Sequence, residues 1–322
     1  VHSGFTPVAP EHFRQVTGQN LRGDDYSFDA MEIVTSAALQ SDLMDPIRDW
    51  FGMLNHGYRI TGVGSSDTHY VSRMILGQGR SYVKADDSDP ANLDVAAVVR
   101  GYREGRVAVS MGLLVEIKVN GQYGMGDLVP RGDGALHISA SAVGPSWVQS
   151  AEGAPLACEI HVNGRMAMSR RQRLPGSNEV AVKAALPDAA KPKHDYWIVA
   201  VATGPGVIAP FWAIPRPYQP SSSKWTPRVV GVTNPVYVDA DGDGKYTSPR
   251  GYAEQVVAKH GANASAVVRA LNAGKYDAAV GAQAASLLDD AGAAVGSAGI
   301  AKQLKQTQGQ AADGFRAYLQ AR

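Results

Sequence analysis

The stretch Tyr58-Arg59-Ile60-Thr61-Gly62-Val63-Gly64-Ser65-Ser66-Asp67-Thr68-His69 decides how this chain is read. Its first half is an apolar run with strand character. Its second half is a small-residue turn ending in an Asp and a His two residues apart. Side chains at i and i+2 of an extended segment point to the same side, so the Asp67 carboxylate and the His69 imidazole can converge on one divalent cation. Gly64, Ser65 and Ser66 let the backbone come close to whatever is bound there. A strand, a tight turn and then a ligand pair is how α/β barrels deliver active-site groups at the C-terminal ends of their strands. The plainer alternative is an Asp capping a helix with a solvent-facing His beside it.

Around this stretch the chain divides into three. Residues 1–110 alternate helix and strand signals, and from Ala38 to Leu54 the apolar residues Leu39, Leu43, Ile47, Trp50 and Leu54 recur at spacings that define a helical face. Asp89-Pro90 predicts a second helix over 91–102, with Asp89 as its cap and Pro90 where a missing N–H costs nothing. His56 falls at the end of the first helix before Gly57, where it suits the helix dipole better than catalysis. Residues 111–250 carry short alternating runs at 113–119, 135–140, 158–162, 180–182 and 197–201, separated by turns rich in Gly, Pro and Asn. That pattern predicts a β-sandwich in which His137 and His161 are sheet residues. Residues 251–322 are Ala-rich and strand-poor, and predict two to four helices with breaks at Gly274, Gly281 and Gly292. Asn263-Ala264-Ser265 fits a glycosylation sequon, with nothing else in support.

Composition narrows the function classes. The chain has 322 residues, with 31 basic against 30 acidic side chains, so no strong field for nucleic acid or an anionic membrane is expected. No apolar run approaches the ~20 residues of a membrane span. A single cysteine, Cys158, rules out an internal disulfide and is compatible with either redox compartment. The compartment is left open, with a periplasmic or secreted one preferred.

Four phrases in order, 28–33 (FDAMEI), 49–57 (DWFGMLNHG), 64–69 (GSSDTH) and 77–83 (GQGRSYV), resemble the end of a PHP (polymerase and histidinol phosphatase) metallohydrolase domain. The chain is most similar to the carbaryl-hydrolase-like branch, in which a sandwich-like region follows and a phrase similar to 232–244 (VTNPVYVDADGDG) recurs. The resemblance covers about residues 1–250. It implies a mixed α/β fold: the C-terminal part of a distorted β/α barrel, then a β-sandwich and a helical tail. It implies zinc, manganese or iron held in part by Asp67 and His69, and hydrolysis of a small-molecule ester, carbamate or phosphoester by metal-activated water. It also places Glu32 on the barrel as a group orienting a ligand, and His2 as a third ligand by its position ahead of Asp67. The family's His-x-His pair is absent: the eight histidines stand at 2, 12, 56, 69, 137, 161, 194 and 260. The resemblance therefore implies a partner, an N-terminal portion of the same protein, on this chain or as a separate one. Arg80 is a candidate for holding an anionic leaving group, since guanidinium matches carboxylate or phosphate, with an ordinary surface arginine as its alternative. The competing function is a non-catalytic binding or scaffold module built on the sandwich.

A second signal lies in Asp239, Asp241, Asp243 and Gly244, which fit positions 1, 3, 5 and 6 of a calcium loop. Position 12 is Arg250 where a bidentate Glu is usual, so the shell would need carbonyls, water or a distant acid such as Glu254. An acidic turn is the plainer reading.

Overall fold

The computed structural model describes residues 13–20, 26–35, 42–68, 76–148, 150, 154–173, 176–187, 191–206 and 228–322. After a short hairpin of β1 (Phe13–Arg14) and β2 (Gln19–Asn20), the chain forms a β-α-β unit. Its parts are β3 (Ala30–Thr35), α1 (Asp45–His56) and β4 (Thr61–Ser65), and the two strands pair in parallel with Ala30 opposite Thr61 and Thr35 opposite Ser65.

Helix α1 starts later than the apolar spacing alone predicts. Asp42 accepts the Met44 N–H through its side chain, the Asp45 N–H bonds the Asp42 carbonyl, and Pro46 occupies the first turn. The helix therefore opens at Asp45, and Leu39 lies outside the described residues. It closes at Gly57, whose φ of 111° lets its N–H reach the Met53 and Leu54 carbonyls. His56 is the last helical residue, as expected, and stacks on Tyr58. Ile47, Trp50, Phe51 and Leu54 face the core, and the Trp50 indole N–H donates to the Ile60 carbonyl at 2.8 Å, fixing the helix to the entry of β4.

Asp49, on the same helix, is 2% exposed, with the Gln15 side chain as its polar neighbour. Burial pushes its carboxyl up to about 7, against the opposing pull of Gln15 and Arg48. A carboxyl whose folded pKa is raised costs stability as pH climbs from its unfolded value towards the folded one. Asp49→Asn should therefore stabilise the protein at pH 8 by about 2–4 kcal/mol and give no gain near pH 4, as read by denaturant unfolding at both values.

The large sheet holds eight strands: β5 (Arg80–Val83), β6 (Val107–Met111), β8 (Leu128–Val129), β10 (Leu156–Val162), β11 (Arg165–Gln172), β13 (Tyr196–Pro205), β14 (Arg228–Thr233) and β15 (Val236–Val238). Its main path runs β11-β10-β13-β14-β6-β5, with β15 bridging β13 to β8. A three-stranded sheet of β7 (Leu114–Val119), β9 (Leu136–Val143) and β12 (Glu179–Leu186) packs over it. Val115, Ile117, Ile138, Ala140 and Val182 of the small sheet share a core with Cys158, Ile160, Ile198, Ala200 and Val236 of the large one. Alternate residues of β9 and β12 are exposed, since only one face of the small sheet is covered. By contrast β6 is buried throughout and β13 nearly so. Trp197, Val199, Val201, Val109 and Val232 on the far face pack against Ile33, Ile47, Trp50 and Ile60 of the β-α-β unit.

The large sheet thus crosses the boundary expected near residue 110, because β6 pairs with β14, and β5 with β6, rather than with β3 or β4. The fold is mixed α/β, with no closed barrel among the described residues. Asn234 performs the joining that a strand ladder would otherwise do. Its side chain accepts from the Gly62 N–H at 2.8 Å and donates to the Gly62 and Val107 carbonyls at 2.8 and 2.7 Å.

Three helix expectations need correction. Asp89 caps only a 3₁₀ turn, Pro90–Asn92, and α2 (Val95–Arg103) has its own cap in Asp94, which accepts the Ala97 N–H. The C-terminal region holds five helices, one more than the predicted maximum: α3 (Pro249–His260), α4 (Ala264–Ala273), α5 (Ala278–Asp290), α6 (Ala298–Gln306) and α7 (Gln310–Ala321). Ser248, Asn263, Asp277 and Ser297 cap the first four. The sequon asparagine is therefore engaged as a helix cap. Gly281 is no break. It lies inside α5 where a methyl group would collide with the Ala311 carbonyl of α7, and Gly314 of α7 meets the Ala278 carbonyl in the same way. The helices also grip the N-terminal hairpin, through Gln283 to the Thr17 carbonyl and Asp290 to the Gln19 amide.

Candidate functional site

The parallel strands β3 and β4 end side by side, with Thr35 opposite Ser65, and Asp67 stands two residues past the end of β4. Glu32 lies within β3 rather than at its end, and its Oε1 accepts a short hydrogen bond from the Ser65 hydroxyl. Ser65 Oγ in turn accepts the Asp67 backbone N–H at 3.3 Å. One serine therefore ties the two acids to a single point at the mouth of the β-α-β unit. Asp67 has φ of 49°, in the left-handed region that Asp tolerates better than most residues. Such outliers cluster at functional sites because the surrounding structure must hold them there. Here the hold includes Ser81, whose hydroxyl accepts the Gly64 N–H and donates to the Gly64 carbonyl. Gly64 and Gly79 permit it: a Cβ on Gly64 would press on the Arg80 carbonyl, and one on Gly79 on the Ser65 carbonyl.

His69 and His2 lie outside the described residues. Arg80 opens β5 beside Gly64, and its exposed guanidinium approaches Gly77. His137 and His161 are sheet residues as expected, and the His161 Nε2 sits 3.3 Å from Glu159 on its own strand.

The acidic loop forms a second cluster. Asp239 accepts the Gly242 N–H at 2.7 Å and the Gly244 N–H at 2.9 Å, one on each oxygen. Asp241 accepts the Asp243 N–H and, on its other oxygen, the Tyr252 hydroxyl at 2.6 Å. Gly242 and Gly244, at φ of 85° and 81°, make the reversals these bonds require. Glu254 takes no part in the cluster and pairs with Arg250 one turn along α3. The fourth carboxylate is Asp195, just ahead of β13, and one oxygen from each of Asp195, Asp239, Asp241 and Asp243 lies within 4.8 Å of the others. Calcium binds oxygen at about 2.3–2.6 Å, so two ligands on opposite sides of one ion are about 4.6–5.2 Å apart, a span these four oxygens match.

Asp195 is wholly buried and accepts three backbone N–H groups: Ala240 at 2.8 Å, Asp241 at 3.3 Å and Thr247 at 2.7 Å. Burial raises its pKa and Asp241 adds to the rise, outweighing those three bonds. Beside it, His194 is buried with its Nε2 3.4 Å from Asp277, the cap of α5. Burial works to raise the Asp277 pKa, but His194, the Val280 N–H and Asn163 hold the carboxyl below the usual range. Neither Asp195 nor His194 stands in a recognisable sequence motif. The faint signal was two titratable residues leading into a strongly apolar strand.

Comparisons with protein-family profiles, curated proteins and solved structures found no match to this chain. Among the described residues, no helix is long and apolar enough to cross a membrane.

Proposed function

We propose that this chain is part of a PHP-type metal-dependent hydrolase acting on a small-molecule ester, carbamate or phosphoester, with its site at the mouth of the β-α-β unit. The observation that carries this reading is the junction at Ser65, which links Glu32, within β3, to the backbone of Asp67, two residues past the end of the adjacent parallel strand β4. A divalent zinc, manganese or iron ion, when bound, acidifies a water and polarises the scissile group. Carboxylates suit such an ion, and the close backbone at Gly64 and Gly79 holds their strands in place. Asp67 and His69 are the proposed ligands, with His2 as a third. Glu32 orients its neighbours through Ser65, and Arg80 is the candidate for an anionic leaving group. Three residues do not fill a coordination shell, and among the described residues β3 is paired on one side only. The proposed partner is accordingly a further portion of the same protein, on this chain or a separate one, bringing the remaining His and Glu ligands to that edge.

Elemental analysis tests the assignment. Asp67→Asn and His69→Ala should each lose at least half the bound transition metal while keeping the wild-type melting temperature within a few degrees. Full metal content in both variants would remove the site from this edge. A protein assembled with that further portion that stays metal-free and inert towards chromogenic esters and phosphodiesters with added zinc or manganese would favour the alternative, a non-catalytic binding or scaffold module built on the sandwich.

The four converging carboxylates favour a second, structural role for calcium at Asp195, Asp239, Asp241 and Asp243. Binding to the folded state alone stabilises it by mass action, by about 2.7 kcal/mol at a hundredfold excess over Kd. Millimolar calcium should thus raise the melting temperature and chelator should lower it; identical melting curves would leave an acidic turn.

A further inference from the structure

The two ends of the large sheet are finished differently. At one end β5 is four residues long, and Ser81 bonds both backbone groups of Gly64 on β4. At the other end β11 runs for eight residues and pairs only with β10. Alternate residues of an antiparallel edge strand turn their N–H and C=O groups away from the one neighbour. None of these outward groups has a partner among the described residues. Residues 165–167 and 169–171 are exposed, Met166 to 52%. Folded proteins usually cover, shorten or bend an edge of this length, because it is a template for another strand.

The side chains along this edge carry one sign of charge. Arg165, Arg170, Arg171 and Arg173 lie within or just past β11, and no acidic residue occurs between Glu159 and Glu179. Arg165, Arg170 and Arg173 form no ion pair with a described residue. Arg171 meets only the field of Glu159, whose carboxylate the His161 ring already approaches at 3.3 Å. Asp277 shares a groove with Arg165 but is engaged by His194, the Val280 N–H and Asn163. Successive side chains of a strand point to opposite faces, so Arg170 and Arg171 stand on opposite faces of the sheet. A strand lying alongside would therefore meet positive charge on both of its own faces.

A groove of about 300 Å³ flanks the first three residues of β11. Arg165, Met166 and Ala167 form one wall, and Leu186 with Ala278 and Ala279 at the start of α5 forms the other. Its apolar walls fit an aliphatic side chain. Sites that add a strand to a sheet work in this way: main-chain bonds hold the peptide and a pocket reads alternate side chains. A second copy of this chain is a poor occupant, since pairing β11 with its own copy would set the arginines against one another.

We propose that β11 is a strand-addition site for an extended acidic peptide, with carboxylates opposite Arg170, Arg171 and Arg173 and an aliphatic residue in the groove beside Met166. The site shares no residue with the β3–β4 edge or the acidic loop, and its test involves neither metal nor hydrolysis. Antiparallel addition is the more stable arrangement per residue and puts the acids first. The probe is accordingly fluorescein-labelled Glu-Glu-Val-Glu-Val-Thr-Val-Leu, titrated with the full chain and read by anisotropy. It should bind saturably with a Kd below about 100 µM, and amide hydrogen exchange across 165–172 should slow when it binds. Arg170→Gln combined with Arg171→Gln, both on exposed positions, should keep the melting temperature and weaken the probe about three- to tenfold, the worth of two exposed ion pairs. Proline in place of the first valine and the threonine keeps every charge but removes a main-chain donor on each edge of the peptide, and should weaken binding by about tenfold or more. The proposal is overturned if the probe shows no saturable binding up to about 1 mM, or if exchange across β11 is unchanged by it. It is equally overturned if the double variant binds as the wild type does, or if the proline peptide binds as tightly as the probe. Single-stranded DNA of matched charge binding more tightly than the probe would also overturn it, by making the edge a surface for polyanions.

Discussion

Asp195→Ala is expected to lower stability by about 3–5 kcal/mol, the largest loss from any single truncation near the acidic loop. The substitution removes a buried carboxylate that organises the Ala240, Asp241 and Thr247 N–H groups. Each orphaned donor costs about 1–3 kcal/mol, and partial entry of water lowers the sum below simple addition. Asp195→Asn retains one carbonyl oxygen for Ala240 and Asp241, so its loss should be less than half as large. Any stabilisation by calcium should vanish in both variants, because each removes one of the four carboxylates. Urea unfolding with calcium and with chelator measures both effects. A loss under about 1 kcal/mol for the alanine variant would mean that other groups hold the loop.

Gly314→Ala is expected to cost about 3 kcal/mol, although alanine is the better helix former. Propensity alone would favour the change by about 1 kcal/mol. Against it, the new methyl would lie within the van der Waals envelope of the Ala278 carbonyl, a backbone atom that cannot swing aside. Overpacking of this kind costs about 1–3 kcal/mol when side chains can relax, and more when they cannot. Gly281→Ala meets the Ala311 carbonyl and should behave alike, while Gly299→Ala, with nothing near its Cβ, should stabilise by about 0.5–1 kcal/mol. Opposite signs at the buried and open glycines, read from thermal melts, would establish that close approach of α5 and α7 sets the requirement. Uniform stabilisation would refute it.

Much of the architecture was legible because it rests on local periodicity. The helical spacing of Ile47, Trp50 and Leu54 and the stop at Gly57 gave α1, and the alternation in β9 and β12 gave a sheet covered on one face. The breaks were harder, since Gly274 ends a helix while Gly281 sits inside one. Only the neighbouring α7 distinguishes them, and a neighbour in space leaves no mark on spacing. The same limit applied to β6, whose partner β14 lies more than a hundred residues away. At the β3–β4 edge the sequence named Glu32 and Asp67, but it did not indicate Ser65 as the link between them. At the acidic loop it named three carboxylates and left the shell to be completed by carbonyls, water or a distant acid such as Glu254. Asp195 took that place because antiparallel pairing of Tyr196 with Val238 sets the residues beyond each strand end next to one another.

The clamp at Asn234 also bears on how the protein is made. Gly62 and Asn234 are 172 residues apart, and a ribosome adding about 5–20 residues per second needs roughly 10–35 s to cover that distance. For that interval the β-α-β unit has left the exit tunnel without the amide that fixes β4, and without β14 to cover its apolar face. The nascent chain must carry α1, with Trp50 and Phe51, unsheltered for that long. Pausing between these positions would prolong the exposure, and a chaperone that engages the first hundred residues would shorten it.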